Sequence, residues 1–259
     1  MDTYFLFFKS MNIDKDKTHQ NSGLGCFDLR NVSIKRGDES HGLLVSSFLN
    51  TYYWPREPSI MGLWMPLDSE YLALLTAKYA YMGERCLAME WLPRTNEHKM
   101  IGLTVADQVY PWTISELEQW GHSTKEKPER HHMYFRAHLL KNPNLFKKYN
   151  VKYIYDIQIL GTAEEVTGQG VGTYLLKHAI DSADKMRHPL IQVVSLSTYT
   201  NKICEKCGMT PVWKMDYKDF VDLCGQSVFY PRRPHLSVAI YVKYHDPIKG
   251  AELPCKPPF

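Results

Sequence analysis

A mixed α/β fold, one sheet covered by helices on both faces, is predicted by three observations. Apolar strand-like runs alternate with amphipathic helical ones, a glycine-rich turn joins one such strand to one such helix, and nothing divides the 259 residues into two units. A chain of this length with 44% hydrophobic residues can bury one sizeable core. The expected organisation is a loosely ordered extension over 1–24, a single domain over 25–247 and a tail over 248–259.

Taken in order, residues 27–34 read as the first strand, which ends in the charged turn KRGDES; Leu43, Leu44, Phe48 and Leu49 then mark a helix. A second helix is predicted over 69–81, and residues 86–92 and 100–107 form a strand hairpin around PRTNEHK. Residues 109–130 turn polar and read as a loop whose Tyr110, Trp112 and Trp120 shape a substrate mouth or serve packing alone. A helix over 131–146 is broken by Pro143. The remainder alternates: strand 153–160, helix 170–185, strand 190–196, a short helix Thr198–Lys206, and strands 209–215 and 236–244.

The net charge of +3 is mild, and the basic residues are scattered, with Arg232-Arg233 and Lys147-Lys148 the densest spots; no nucleic-acid partner is expected. Six widely spaced cysteines point to reduced thiols in a cytoplasmic protein. The apolar run at 4–8 is too short to span a bilayer, and Lys9 interrupts it, so no membrane partner is expected. Cys204 and Cys207 form a C-x-x-C pair without a second ligand pair nearby, so no metal is expected.

The chemistry concentrates at Gly168, Gly170 and Gly172, where an apolar strand ends and a helix with Val171, Leu175, Leu176, Ala179 and Ile180 begins. Glycine lets the backbone approach an anion closely, and the helix N-terminus offers unpaired N–H groups and a favourable dipole; a diphosphate is the natural guest. An NTPase loop would need Gly-Lys-Ser/Thr, but Thr173 and Tyr174 follow Gly172. A dinucleotide fingerprint would need G-x-G-x-x-G, whereas the spacing here is G-x-G-x-G. Helix-start glycines serving packing alone are the competing reading.

The run TGQGVG from Thr167 to Gly172 resembles the acetyl-CoA pyrophosphate loop, Q/R-x-x-G-x-G/A, of the GCN5-related N-acetyltransferase (GNAT) superfamily. Within it, VFYPRRPHLSVAIYVK from Val228 to Lys243, YYWPREP from Tyr52 to Pro58 and NLFKKY from Asn144 to Tyr149 resemble insect-type arylalkylamine (dopamine) N-acetyltransferases. The resemblance covers roughly residues 27–244, with a looser middle over 108–141. It implies a GNAT-like, mostly antiparallel sheet and direct acetyl transfer, in a ternary complex, from acetyl-CoA to the primary amine of a small, arylalkyl molecule. Acetyl-CoA would bind the edge of Leu160, Gly161 and Thr162 and the loop Thr167, Gly168, Gln169, Gly170, Val171 and Gly172.

The same resemblance makes Glu57 the general base, through water; its aromatic run could desolvate the carboxylate. An exposed carboxylate paired with Arg56 is the alternative. Leu196 and Thr200 stand where two serines are usual, so Thr200 is the candidate for assisting the leaving thiolate, while Cys204 takes the place of a tyrosine acid and reads as a small buried hydrophobe. Thr167 replaces an arginine or glutamine, with Lys202 and Lys206 as possible compensating cations. His235 matches the family's Pro-His pair, as a structural or proton-carrying residue. Tyr52, Tyr53, Trp54 and Trp112 could stack an aryl ring or belong to the core. A polyamine or protein amine as acceptor, and a weak or inactive CoA-binding module, are the alternatives; a monomer is expected.

Overall fold

The computed structural model describes residues 27–244, so the expectations for 1–24 and 248–259 lie outside it. Its seven strands are β1 (Val32–Gly37), β2 (Glu84–Leu92), β3 (Glu97–Val109), β4 (Ile154–Thr162), β5 (Leu190–Ser195), β6 (Thr210–Asp216) and β7 (Ser237–Tyr244). They form one sheet in the order β1-β2-β3-β4-β5-β7-β6, antiparallel throughout except where β4 lies parallel to β5. This is the mixed, mostly antiparallel sheet that was expected.

Alternation along the strands divides the core in two. Tyr155 and Ile157 of β4, Ile191 and Val193 of β5, and Ala239 and Tyr241 of β7 pack with Leu176, Ala179, Ile180 and Cys204, under helices α7 (Val171–Lys185) and α8 (Thr198–Lys206). The opposite face of β2, β3 and β7 packs with Val45, Phe48, Leu72, Leu75 and Phe135, carried by α1 (Gly42–Phe48), α3 (Glu70–Tyr81) and α5 (Lys127–Lys141).

Three differences from the sequence-based expectations have local causes. The first strand starts at Val32, because Asp28 accepts the Arg30 amide and folds residues Leu29–Asn31 into a 3-10 turn; the strand then continues through Lys35 and Arg36. Helix α1 points Val45 and Phe48 inward and leaves Leu43 and Leu44 exposed. The supposed loop over 109–130 contains α4 (Thr113–Ser123), and α5 begins at Lys127, with Pro128 in its first turn, rather than at 131. Helix α4 buries only Leu117 and Gly121, and a Cβ at Gly121 would sit 3.1 Å from the Tyr134 ring, so α4 lies close along α5. After Pro143 a short α6 (Leu145–Lys148) follows.

Helix α3 opens on Ser69, whose hydroxyl accepts the Leu72 amide, and ends against Gly83. Gly83 adopts φ +75°, and a Cβ there would sit 2.6 Å from the Ala106 carbonyl oxygen. Gly83→Ala is therefore expected to destabilise the fold by at least about 1–2 kcal/mol, the left-handed penalty alone, read as a lower denaturant midpoint with unchanged slope.

Candidate active site

Strands β4 and β5 pair only at Tyr155–Ile157 with Ile191–Val193, then separate. Beyond that point β4 continues to Thr162 paired with β3, and β5 continues to Ser195 paired with β7. The register of β3 and β4 shifts between Val105 and Ala106, whose partners are Ile159 and Ile157, so Gln158 is an extra, bulged residue. A bulge bends its strand, and this one turns the end of β4 away from β5. The edge of Leu160, Gly161 and Thr162 thus faces an opening instead of a strand.

That opening is the head of a cleft of about 590 Å³ lined by Leu160, Gly161, Thr162, Thr167, Gly168, Gly170, Val171 and Gly172. Gly168 and Gly170 have φ +81° and +91°, so the loop turns its backbone toward the start of α7 in a conformation that side chains resist. At Gly172 a Cβ would meet Ile203 at 2.9 Å, which keeps α7 close to α8. Gln169 departs from expectation: its amide donates to the Glu165 carbonyl at 2.9 Å, and it is not among the residues that line the cleft. Lys202, Lys206 and Arg56 bring positive charge to the walls. Arg56 was not anticipated there; its guanidinium binds the carbonyls of Tyr52 and Thr162, tying the segment before Glu57 to the end of β4.

Glu57 is placed by Pro55, in the first turn of the 3-10 segment before it, and by Pro58 after it. After a π-helical turn over Leu49–Tyr53 and a 3-10 turn over Trp54–Arg56, Pro58 holds Glu57 extended, at φ −72° and ψ 118°. Its carboxylate then caps α2 (Pro58–Gly62), accepting Ser59 N at 3.1 Å, Ser59 Oγ at 2.8 Å and Ile60 N at 2.6 Å. Glu57 is 5% exposed and makes no pair with Arg56. Burial pushes its pKa up, and the three donated hydrogen bonds only partly offset that shift. Trp54 Nε1 donates to Thr76 Oγ1 at 2.8 Å and steadies the turn from below.

Glu57, Tyr53, Gln158, Val194 and Leu196 line both the cleft and a second cavity of about 320 Å³, and so mark the junction between them. The second cavity is walled by aromatic groups: Tyr110 stacks on Trp112 with centroids 4.5 Å apart, and Trp120 lies at its rim. Tyr53, Trp54 and Trp112 line it, Trp54 being also a buried core residue, whereas Tyr52 lies on the cleft. The polar residues in it were missed from sequence: Asp156 and Gln158 on β4, Lys78 on α3, and His132 and Arg136 on α5. Gln158 Oε1 is buried with no hydrogen-bond partner, an acceptor left open at the junction. His132 lies in hydrogen-bond contact with the Tyr71 hydroxyl at 2.8 Å, and burial with nearby Arg136 lowers its pKa to about 3. Asp156 accepts Gln192 Nε2 at 3.1 Å, and burial raises its carboxyl to about 6.

On α8, Thr200 faces the cleft, its hydroxyl 2.9 Å from that of Ser197, the helix cap. Ser197 and Tyr199 are cleft residues that sequence reasoning did not single out. Leu196 sits at the junction. Cys204 is fully buried, its thiol pushed up to about 12, and it packs as the small hydrophobe that was expected. His235 accepts the Thr198 amide at 3.2 Å through Nδ1, and the Thr198 hydroxyl donates to the Pro234 carbonyl at 2.9 Å, so the pair anchors the segment before β7 to α8.

No family model matches the sequence. Solved structures do match the fold. A mosquito arylalkylamine N-acetyltransferase-like 5b superposes with TM-score 0.74 at 19% identity over 83% of this chain and 100% of its own. The Drosophila melanogaster polyamine N-acetyltransferase that forms N-acetylagmatine gives 0.72 at 18% identity, with the same coverage. Arylalkylamine N-acetyltransferase 2 from Aedes aegypti gives 0.69 at 18% identity, over 83% of this chain and 99% of its own. The chain therefore has the GNAT fold.

Because burial raises the folded Asp156 carboxyl from its ordinary 3.8 to about 6, its protonated form favours the folded state, and that stability is lost as pH rises through about 6. Asp156→Asn is expected to gain stability relative to the parent as pH rises from about 4 to 7, with urea unfolding at several pH values as the measurement. A pH-independent difference would contradict the raised carboxyl.

Proposed function

We propose that the protein is an acetyl-CoA-dependent N-acetyltransferase acting on the primary amine of a small molecule. The observation that carries this reading is the junction, where an open strand edge and a glycine-turned helix N-terminus meet a buried carboxylate at the mouth of a separate, aromatic-walled cavity. The residues present suit the cosubstrate. Backbone N–H groups at Gly170–Gly172 and the charges of Lys202 and Lys206 would receive the diphosphate, and the edge of Leu160, Gly161 and Thr162 would receive the pantetheine amides in place of a strand. Lys202 and Lys206 take over the charge that Thr167 does not supply.

Acetyl-CoA, when bound, supplies an activated acetyl group. Glu57 removes a proton from the acceptor ammonium, directly or through water, and its raised pKa brings it closer to the operating pH. The open Gln158 Oε1 accepts an N–H of the amine and holds it at the junction. Thr200, polarised by Ser197, offers a hydroxyl for the departing sulfur, with Tyr199 on the same wall. Neighbours of the same fold are named for arylalkylamines and for polyamines at almost equal identity, so the acceptor has to be read from this chain's own cavity.

Thiol release from acetyl-CoA, measured over a panel of arylalkylamines, amino acids, polyamines and a lysine peptide, tests the activity. Glu57→Gln, which keeps part of the helix cap, is expected to lower kcat/KM by about 10²-fold or more. The parent rate should fall as pH drops through the raised Glu57 pKa, and that limb should vanish in the variant. Thr200→Ala is expected to reduce kcat several-fold, less than the Glu57 change. Acetyl-CoA binding without thiol release from any amine would instead support a non-catalytic binding module.

A further inference from the structure

One hydrogen-bonding atom of the second cavity is left without a partner and is not used by the acetyl-transfer chemistry, Nε2 of His132. His132 lies on α5, is 6% exposed, and lines this cavity but not the cleft. Among the described residues its hydrogen-bond contact is with the Tyr71 hydroxyl, 2.8 Å from Nδ1. The carboxylates of the cavity are engaged elsewhere or stand at its rim: Glu57 caps α2, Asp107 accepts the Gln108 amide, Asp156 accepts Gln192, and Glu116 is exposed on α4. Nor is Nε2 sealed away, because the buried side-chain atoms without partners among the described residues are Arg85 Nε, Gln158 Oε1, His188 Nε2 and Asn201 Oδ1. In a residue so enclosed, the accessible nitrogen opens on the cavity that the residue lines.

The neighbours of Tyr71 decide which nitrogen of the imidazole carries the proton. Arg136 lies one turn along α5 from His132, beside the same Tyr71 hydroxyl, and a guanidinium can only donate. The phenol therefore turns its oxygen to Arg136 and its hydrogen to His132 Nδ1, which becomes an acceptor. Burial and the charge of Arg136 keep the imidazole from taking a second proton, lowering its pKa to about 3. A neutral imidazole whose Nδ1 accepts holds its hydrogen on Nε2, so the nitrogen open to the cavity is a donor. An apolar group resting against it would bury that N–H unpaired, and an ammonium has no lone pair to offer, whereas an uncharged oxygen satisfies it. The stacked pair Tyr110 and Trp112 on the wall makes an aromatic ring the body that carries this oxygen.

We propose that His132 is a specificity-determining residue, its Nε2–H donating to a ring-borne hydroxyl oxygen of the acceptor while the amine nitrogen sits at the Glu57–Gln158 junction. The inference rests on the acetyltransferase reading for the position of the nitrogen. It adds to that reading the residue that separates a hydroxylated ring from an apolar one of the same shape, a task that neither Glu57 nor Gln158 performs.

Calorimetric titration of the full chain with tyramine and its meta isomer, each against the analogue with a methyl group in place of the ring hydroxyl, isolates the contact, because each pair shares its charge and nearly its shape. At least one hydroxylated amine is expected to bind about tenfold more tightly than its methyl analogue, the effect of one hydrogen bond to a donor otherwise buried unpaired. His132→Phe should bring that ratio to about one, whereas His132→Gln, whose amide nitrogen can still donate from the same wall, should keep most of it. If His132→Phe fails to fold, His132→Leu serves in its place. Equal affinities within both pairs, no binding of either hydroxylated amine, or an unchanged ratio in a folded variant lacking the donor would overturn the proposal. Binding needs no turnover, so absence of thiol release would count against the acetyltransferase reading alone.

Discussion

The separation of β4 from β5 after three paired residues is the constraint on which the rest of the site depends. A parallel pair that stayed hydrogen-bonded to its ends would close the sheet, and the cleft would not exist. The extra residue, Gln158, bends β4 outward, and the sheet tolerates this because β3 continues to satisfy the other edge of β4 as far as Thr162. Buried backbone groups left unpaired would cost about 1–3 kcal/mol each, so the opening persists only where water or a ligand can meet them. The same bulge puts the side chain of Gln158 at the meeting point of the two cavities.

Around that opening the chain arranges two kinds of electrostatics. The cleft combines backbone N–H groups at a helix start with exposed lysines, an arrangement suited to a highly charged and solvated group. The second cavity mixes carboxylates with cations, and there burial moves Glu57 and Asp156 up and Lys78 and His132 down. Every one of these shifts penalises the charged form, as burial in a poorly solvated cavity should. A charge entering this cavity therefore finds groups whose own charge is costly until it is matched.

What could be read from the sequence followed physical visibility. Helix α7 and its glycine turn were legible because apolar residues recur at helical spacing directly after positions that need a positive φ. Glu57 was singled out through the resemblance of the run YYWPREP, since its own neighbours left an exposed carboxylate paired with Arg56 as the alternative. Helix α4 was not, since it buries only Leu117 and Gly121 and its remaining surface is as polar as a loop. Asp156 and Gln158 were hidden in plain view: two polar residues interrupt the apolar run of β4, and that interruption was the signal available. Lys78 and Arg136 belong to helices whose surroundings are set by tertiary packing, and their shared cavity could not be read from spacing along the chain.

The two cavities are furnished by different stretches of polypeptide. The cleft draws mainly on residues from β4 through α8, and the second cavity on α3, the end of β3, α4 and α5. Helix α4 leans on α5 and takes little part in the sheet core. On the proposed function, such a division of labour lets substitutions in one contiguous third of the gene retune which amine is accepted while the donor half stays intact. Selection can then diversify substrates on this scaffold by piecemeal change, without reinventing its chemistry.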